Sequence, residues 1–74
     1  MTGLLRAMDL YNETQRQSGE PTMTIRRLAR ISGVPERTVY RHTRGDTTMS
    51  LQQALSYARA LQCNPEDLVS DRAA

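Results

Sequence analysis

The middle of the chain carries a cluster of arginines with almost no acidic residues to neutralise them. Between residues 24 and 45 there are six arginines and one acidic residue, Glu36, so this segment has a formal net charge of +5. The arginines are Arg26, Arg27, Arg30, Arg37, Arg41 and Arg44. A solvated helix face usually places Glu and Arg at i,i+4 spacing, where opposite charges stabilise each other. The unbalanced charge therefore indicates a partner that supplies negative charge. The planar fork of Arg suits phosphates and guanine edges.

The charge distribution is more informative than the total. Residues 1–23 carry a net charge of −1 and residues 46–74 a net charge of −2, so the 74-residue chain is only +2 overall. A basic middle between mildly acidic ends is the pattern expected of a surface that faces phosphates.

Length and composition limit the possible classes of protein. With 74 residues, no Trp, no Phe and three Tyr, the chain predicts one small domain, residues 1–74, with an aliphatic core. It contains neither the roughly 18–20 apolar residues of a membrane span nor a signal peptide. The single Cys63 cannot form an internal disulfide or a cysteine-based metal site. We therefore expect a cytoplasmic protein that needs no metal or other cofactor.

No enzyme is predicted. The chain contains serines, aspartates and one histidine, His42, but no spacing that suggests a nucleophile with its base. It is also too short to enclose a small-molecule substrate. We expect His42 to be half-buried and hydrogen-bonded, and Cys63 to be a small buried hydrophobic residue and not a redox switch.

Hydrophobic periodicity predicts an all-α fold, a compact bundle of about five short helices without strands. The first helix covers about residues 3–17, and Gly19 and Pro21 make the next stretch a loop. Its apolar face consists of Leu4, Leu5, Met8 and Tyr11. Thr24 is predicted to cap a second helix that ends at Gly33, a residue that adopts the left-handed conformation readily.

The second half of the chain predicts three further helices. The third covers about residues 36–42 and is followed by the loop "TRGDTT", residues 43–48. Ser50 caps the fourth helix, and Asn64 and Pro65 begin a short fifth helix. The stripe of the fourth helix that we expect in the core comprises Leu51, Ala54, Leu55, Ala58 and Leu61.

Helices two and three are joined by about four residues that include Gly33, which predicts a helix-turn-helix. In this arrangement the second of the two helices enters the DNA major groove. Ala29 is small enough for the helices to cross closely, and Val39 is expected to face the core while its neighbour Tyr40 faces outward.

Charged residues near the start of the third helix could read base edges. Arg37 and Arg41 lie four residues apart and share a helical face. They could bind guanine O6 and N7 in a bidentate manner, or they could be a solvated pair. Glu36 could accept a hydrogen bond from cytosine N4, orient one of these arginines, or favour the helix start.

Two long segments resemble a known family. "MTIRRLARISGVPERTVYRHTRG" and "SLQQALSYARALQCNPEDL" are similar to the lambda-repressor-like helix-turn-helix proteins, which include phage repressors and Cro proteins. The resemblance covers about residues 23–69, and residues 4–17 would be the first helix of the family.

This resemblance implies roles for individual residues. The expected base contacts come from the third helix: Glu36, Arg37, Tyr40 and Arg41. The expected contacts with the DNA backbone come from Thr24, Arg26, Thr38, Arg44 and Thr47. Apart from the resemblance, the three arginines of the second helix could all be solvated, but we expect one or two of Arg26, Arg27 and Arg30 to touch phosphates.

The resulting hypothesis is a sequence-specific, double-stranded DNA-binding transcriptional regulator. We expect a small phage or prophage repressor of the Cro kind, which acts by occupying its operator as a homodimer formed in solution or only on DNA. One alternative is an antitoxin-type module of the same fold whose main partner is a protein toxin. Another is a DNA-binding module that is normally fused to a larger regulator.

Overall fold

The computed structural model describes residues 2–69 and has five α-helices in this range, without strands. The helices are α1 (Gly3–Ser18), α2 (Ile25–Ser32), α3 (Glu36–Arg44), α4 (Leu51–Leu61) and α5 (Pro65–Val69). The predicted all-α fold with a helix-turn-helix at α2 and α3 is confirmed. None of the helices among these residues is long and apolar enough to cross a membrane.

Short-range signals fix where most of the helices begin. The hydroxyl oxygens of Thr2, Thr24 and Ser50 accept hydrogen bonds from backbone N–H groups in the first turns of α1, α2 and α4. Ser50 and Gln53 form a reciprocal capping box, in which the Gln53 side chain also accepts from the Ser50 N–H. Such caps satisfy N–H groups that the helix itself leaves without partners.

α3 is longer than the sequence predicted. It continues to Arg44, so Thr43 and Arg44 belong to the helix and not to the following loop. Gly45 ends the helix with a φ of 77°, in the left-handed region, and its N–H donates to the carbonyl of His42 at 3.2 Å. The helix persists because Thr43 is buried against the core and the first residue suited to the left-handed conformation is Gly45.

One hydrophobic core joins residues from all five helices and the loops between them. Leu4 and Met8 of α1, Leu28 of α2 and Val39 of α3 are buried in it. The remaining buried apolar residues are Ala7, Met23, Val34, Ala54, Tyr57, Ala58, Leu61 and Leu68. Leu5, predicted on the same face of α1 as Leu4, instead lies towards solvent.

The predicted core stripe of α4 is partly wrong. Leu51 is 73% exposed and Leu55 is 45% exposed. The buried face consists of Ala54, Tyr57, Ala58 and Leu61. Successive residues of a helix are rotated by about 100° about the helix axis. Tyr57 and Leu55 therefore lie in opposite directions from the buried Ala54, and a helix that buries Tyr57 exposes Leu55. The core therefore contains the aromatic ring of Tyr57, whereas the sequence had suggested the side chain of Leu55.

α1 and α5 approach each other closely at Gly3. A Cβ atom at this position would lie 2.5 Å from the carbonyl oxygen of Asp67 and 2.7 Å from that of Leu68. Only glycine can stand there without displacing the backbone of α5. The contact places the beginning of the first helix against the last helix.

Candidate nucleic-acid interface

The turn between α2 and α3 sets the relative direction of the two helices. Gly33 has a φ of 76°, and its N–H donates to the carbonyl of Ala29 at 2.9 Å. Val34 then enters the core, and Pro35 precedes the first residue of α3. The turn is thus fixed by a left-handed glycine, a buried valine and a proline that cannot continue α2.

α3 has one buried face and one exposed face. Val39, His42 and Thr43 point into the protein, and His42 is only 3% exposed. The four residues that were predicted to contact bases, Glu36, Arg37, Tyr40 and Arg41, are all exposed. Val39 and Tyr40 therefore face inward and outward as expected. The exposed side of α3 offers guanidinium donors, a carboxylate acceptor and an aromatic ring along a single helix.

The residues predicted to contact the DNA backbone lie around this face. Arg26, Arg44 and Thr47 are exposed, whereas Thr38 is half-buried. Thr24 is exposed, but its hydroxyl oxygen already accepts the N–H of Arg27 at 3.1 Å as the cap of α2.

The Arg27 side chain donates to the carbonyl of Thr22 at 3.2 Å, which leaves Arg26 and Arg30 as the exposed cations of α2.

Both acidic residues of this surface lie beside an arginine. Nε of Arg26 is 3.8 Å from a carboxylate oxygen of Glu36, which links the start of α2 to the start of α3. Glu36 thus pairs with Arg26 of α2, whereas only one of the three roles suggested by the sequence was an ion pair, and that was with Arg37 or Arg41. Nε of Arg44 is 3.3 Å from a carboxylate oxygen of Asp46. In the sequence nothing had singled out Asp46.

Arg44 also interacts with Tyr40, one helical turn earlier. Its guanidinium carbon lies 5.6 Å from the centre of the Tyr40 ring, within the range of a cation–π contact. Hydrogen bonding with Tyr40 and, after it, the charge of Asp46 raise the pKa of the Arg44 guanidinium. Arg44 is therefore a charged donor that contacts both the ring of Tyr40 and the carboxylate of Asp46.

Two contacts hold the buried side of α3. Nδ1 of His42 lies 2.7 Å from the hydroxyl oxygen of Tyr57 in α4, and the two rings meet edge-on at 79°. The hydroxyl of Thr2 donates to the carbonyl of Thr43 at 2.9 Å and so ties the start of α1 to the end of α3. Sequence reasoning missed both partners, because neither lies near α3 in the chain.

Burial alters the acid–base properties of three side chains. Loss of solvation lowers the pKa of His42 and raises the pKa of Tyr57 to about 12. Cys63 is half-buried against the core, and burial followed by the charge of Asp67 raises the pKa of its thiol. Within residues 2–69, no group of three metal-binding side chains comes together.

These features define a class of protein, the helix-turn-helix proteins, with a basic exposed face on the second helix of the motif. The family model described as Cro/C1-type HTH DNA-binding domain matches residues 18–73. The chain belongs to this Cro/C1-type family of DNA-binding domains. Comparison with curated proteins and with solved structures returns no match.

The matched range begins at the last residue of α1. α1 nevertheless supplies Leu4, Ala7 and Met8 to the same core as the four matched helices. The packing therefore makes α1 an integral part of the folded unit, although the family model does not cover it.

Proposed function

We propose that this protein is a sequence-specific transcriptional regulator, a small phage or prophage repressor of the Cro kind that occupies an operator. The observation that carries the proposal is the exposed face of α3, which presents Glu36, Arg37, Tyr40 and Arg41 while Val39 and His42 anchor the helix behind it. An exposed helix with these groups fits the major groove, where donor and acceptor patterns distinguish all four base pairs.

Residues around α3 would set the position of the helix on the duplex. In the proposed complex, Thr24, Arg26, Thr38, Arg44 and Thr47 contact the DNA backbone. Phosphate contacts of this kind fix register without reading sequence. We further propose that the whole chain acts as one cytoplasmic DNA-binding domain without catalysis. It would bind as a homodimer on a two-fold-related site with half-sites about one helical turn apart.

Selection of bound sequences from a pool of random duplexes tests this proposal. We expect one enriched motif with two-fold symmetry, and binding to that motif should fall when Arg37 or Arg41 is replaced by alanine. Arg16→Ala is the matched control, because Arg16 is an exposed arginine of α1, a helix that carries none of the proposed DNA contacts. A pool that shows no enrichment after repeated selection would contradict sequence-specific recognition. An enriched single half-site would contradict the dimer.

An antitoxin-type module is the second candidate. A module that binds a protein toxin needs an exposed apolar surface for that partner. Leu51 and Leu55 of α4 provide one, since they lie one helical turn apart and are both exposed. Under this hypothesis the chain purifies with one stoichiometric protein from its own host, and the variant Leu51→Gln/Leu55→Gln loses that protein. Under the repressor hypothesis the same variant binds DNA as the unchanged protein does.

A further inference from the structure

Asp46 is held in place by the end of α3. Its backbone N–H donates to the carbonyl of Arg41 at 3.0 Å, while the N–H of Gly45 donates to the carbonyl of His42 at 3.2 Å. Together these two bonds close the C-terminal end of the helix around the left-handed Gly45. The position of Asp46 therefore follows from the helix end and is not that of a residue in a free loop.

The carboxylate of Asp46 occupies an edge of the Arg44 guanidinium that could bind phosphate. The 3.3 Å contact involves Nε of Arg44, and both side chains are more than half exposed to solvent. A guanidinium binds carboxylates and phosphates through the same planar set of N–H donors. An incoming phosphate oxygen would have to replace the Asp46 oxygen or approach beside a second negative charge.

We propose that Asp46 competes with DNA phosphates for Arg44 and thereby weakens DNA binding without reading any base. This inference rests on the proposed function, in which Arg44 contacts the DNA backbone. Because a phosphate contact is available at any sequence, the competition acts equally on the preferred site and on random DNA. Asp46 thus sets how tightly the protein binds DNA in general.

The same pairing makes the interaction less sensitive to salt. An arginine that neutralises a phosphate releases condensed counterions, which steepens the salt dependence by about one unit of log-log slope. Arg44 and Asp46 are together neutral, so their combined contribution is smaller than that of a free arginine. Removing the carboxylate should restore the full contribution of Arg44.

A double-mutant cycle tests the proposal, with Asp46→Asn, Arg44→Ala and the double variant measured by fluorescence anisotropy. Two duplexes are used, the selected motif and its scrambled version, over a range of NaCl concentrations. We expect Asp46→Asn to tighten binding to both duplexes by about 1.5- to 5-fold at low salt, the range of an exposed ion pair. Its log-log slope should be steeper by up to about one. Arg44→Ala should weaken binding more in the Asp46→Asn background than in the unchanged protein.

Glu13→Gln provides the matched control, because it removes one exposed negative charge from α1. An equal gain from Glu13→Gln would overturn the proposal by showing an effect of net charge alone. If Arg44→Ala weakens binding but Asp46→Asn weakens it too or leaves it unchanged, Asp46 does not compete, and the proposed function stands. If both variants leave binding to the two duplexes unchanged, Arg44 does not contact the DNA backbone. That part of the proposed function then fails together with the inference. Circular dichroism confirms that each variant is folded.

Discussion

Nδ1 of His42 and the hydroxyl oxygen of Tyr57 are 2.7 Å apart, in a hydrogen bond that connects α3 to α4 through the core. His42 is one residue after Arg41, so this buried bond supports the helix whose outer face carries the proposed base contacts. A buried polar group that loses its partner destabilises a protein more than an exposed one does. Protonation of His42 should therefore affect the free energy of unfolding of the whole domain.

We first predict that the free energy of unfolding decreases as the pH falls from about 7.5 to 5.5. Burial lowers the pKa of His42 below the value of about 6.5 for a free histidine, so in this window the unfolded state binds more protons. The decrease cannot exceed about 1.4 kcal/mol per pH unit for one proton. Urea denaturation at several pH values measures it.

His42→Phe is the control for this prediction, because His42 is the only histidine. The variant is expected to be less stable and to lose the pH dependence between 5.5 and 7.5. A wild-type stability that is flat over this range would contradict the lowered pKa. A slope that remains in His42→Phe would assign the titration to another group.

The second prediction is that Gly3→Ala destabilises the protein by about 1–3 kcal/mol, the range for an overpacked core. In an exposed helix the same change would stabilise by about 1 kcal/mol, so the sign is diagnostic. Here the added methyl group would meet the carbonyl oxygens of Asp67 and Leu68. Thermal unfolding gives the value, with Glu13→Ala on the exposed side of α1 as the control. A stabilised Gly3→Ala variant would show that α1 and α5 do not pack as described.

A third prediction separates two leucines of α4. Leu61 is 3% exposed, and Leu61→Ala should cost about 2–5 kcal/mol because it leaves a cavity. Leu55 is 45% exposed, and Leu55→Ala should cost less than about 1 kcal/mol. Urea denaturation of the two variants compares identical chemical changes in different surroundings. Equal losses would place Leu55 in the core after all.

The fourth prediction concerns base recognition by α3. Arg37→Ala and Arg41→Ala should each lose roughly 1–3 kcal/mol of binding free energy on the selected motif, and discrimination at one base pair should relax. Both side chains are exposed, so the fold should survive. Binding to the selected and scrambled duplexes measures the difference. Equal losses on both duplexes would mean that these arginines contact phosphates only.

The fifth prediction is a steep salt dependence of DNA binding. Each phosphate contact contributes a log-log slope of about −0.9, so a dimer with several arginines at the interface should show a slope on the order of −4 to −8. Titrations from low to moderate NaCl concentration measure this slope. A binding constant that does not change with salt would argue against contacts with the phosphates.

The parts of the fold that could be predicted depend on neighbouring residues. Thr24 and Ser50 cap α2 and α4 as their side chains suggested, and Gly33 ends α2 in the left-handed conformation. Each of these signals operates within about one helical turn, so the sequence contains all that is needed. The end of α3 was placed too early because the burial of Thr43 depends on residues far away in the chain.

Core composition was harder to predict than helix boundaries. In α4, Leu55 and Tyr57 both belong to plausible apolar faces, and hydropathy favours the leucine. In the folded protein the ring nitrogen of His42 in α3 gives the Tyr57 hydroxyl a buried partner, which hydropathy does not take into account. A contact between side chains 15 positions apart leaves no periodic signal in either helix.

In the candidate site, too, some features could be predicted from neighbouring residues and others could not. The family resemblance suggested Glu36, Arg37, Tyr40 and Arg41 as exposed positions of α3. Helical spacing added that Arg37 and Arg41 share a face, and the inward direction of Val39 indicated that Tyr40 faces outward. All four side chains are exposed. The pairing of Asp46 with Arg44 was missed because the sequence predicts Arg44 in a loop, where residue spacing does not indicate the direction of a side chain. The DNA contacts of the site residues remain predictions.

The contact of Gly3 with Asp67 and Leu68 has a consequence for the connectivity of the chain. It brings the first and last helices of the described chain together, so a short glycine-serine linker could join residue 69 to residue 2. New ends could be opened between Glu20 and Pro21, two exposed residues of the loop after α1. We expect such a circular permutant, with the order α2–α3–α4–α5–α1, to fold, because the helices need to be adjacent in space and not in sequence.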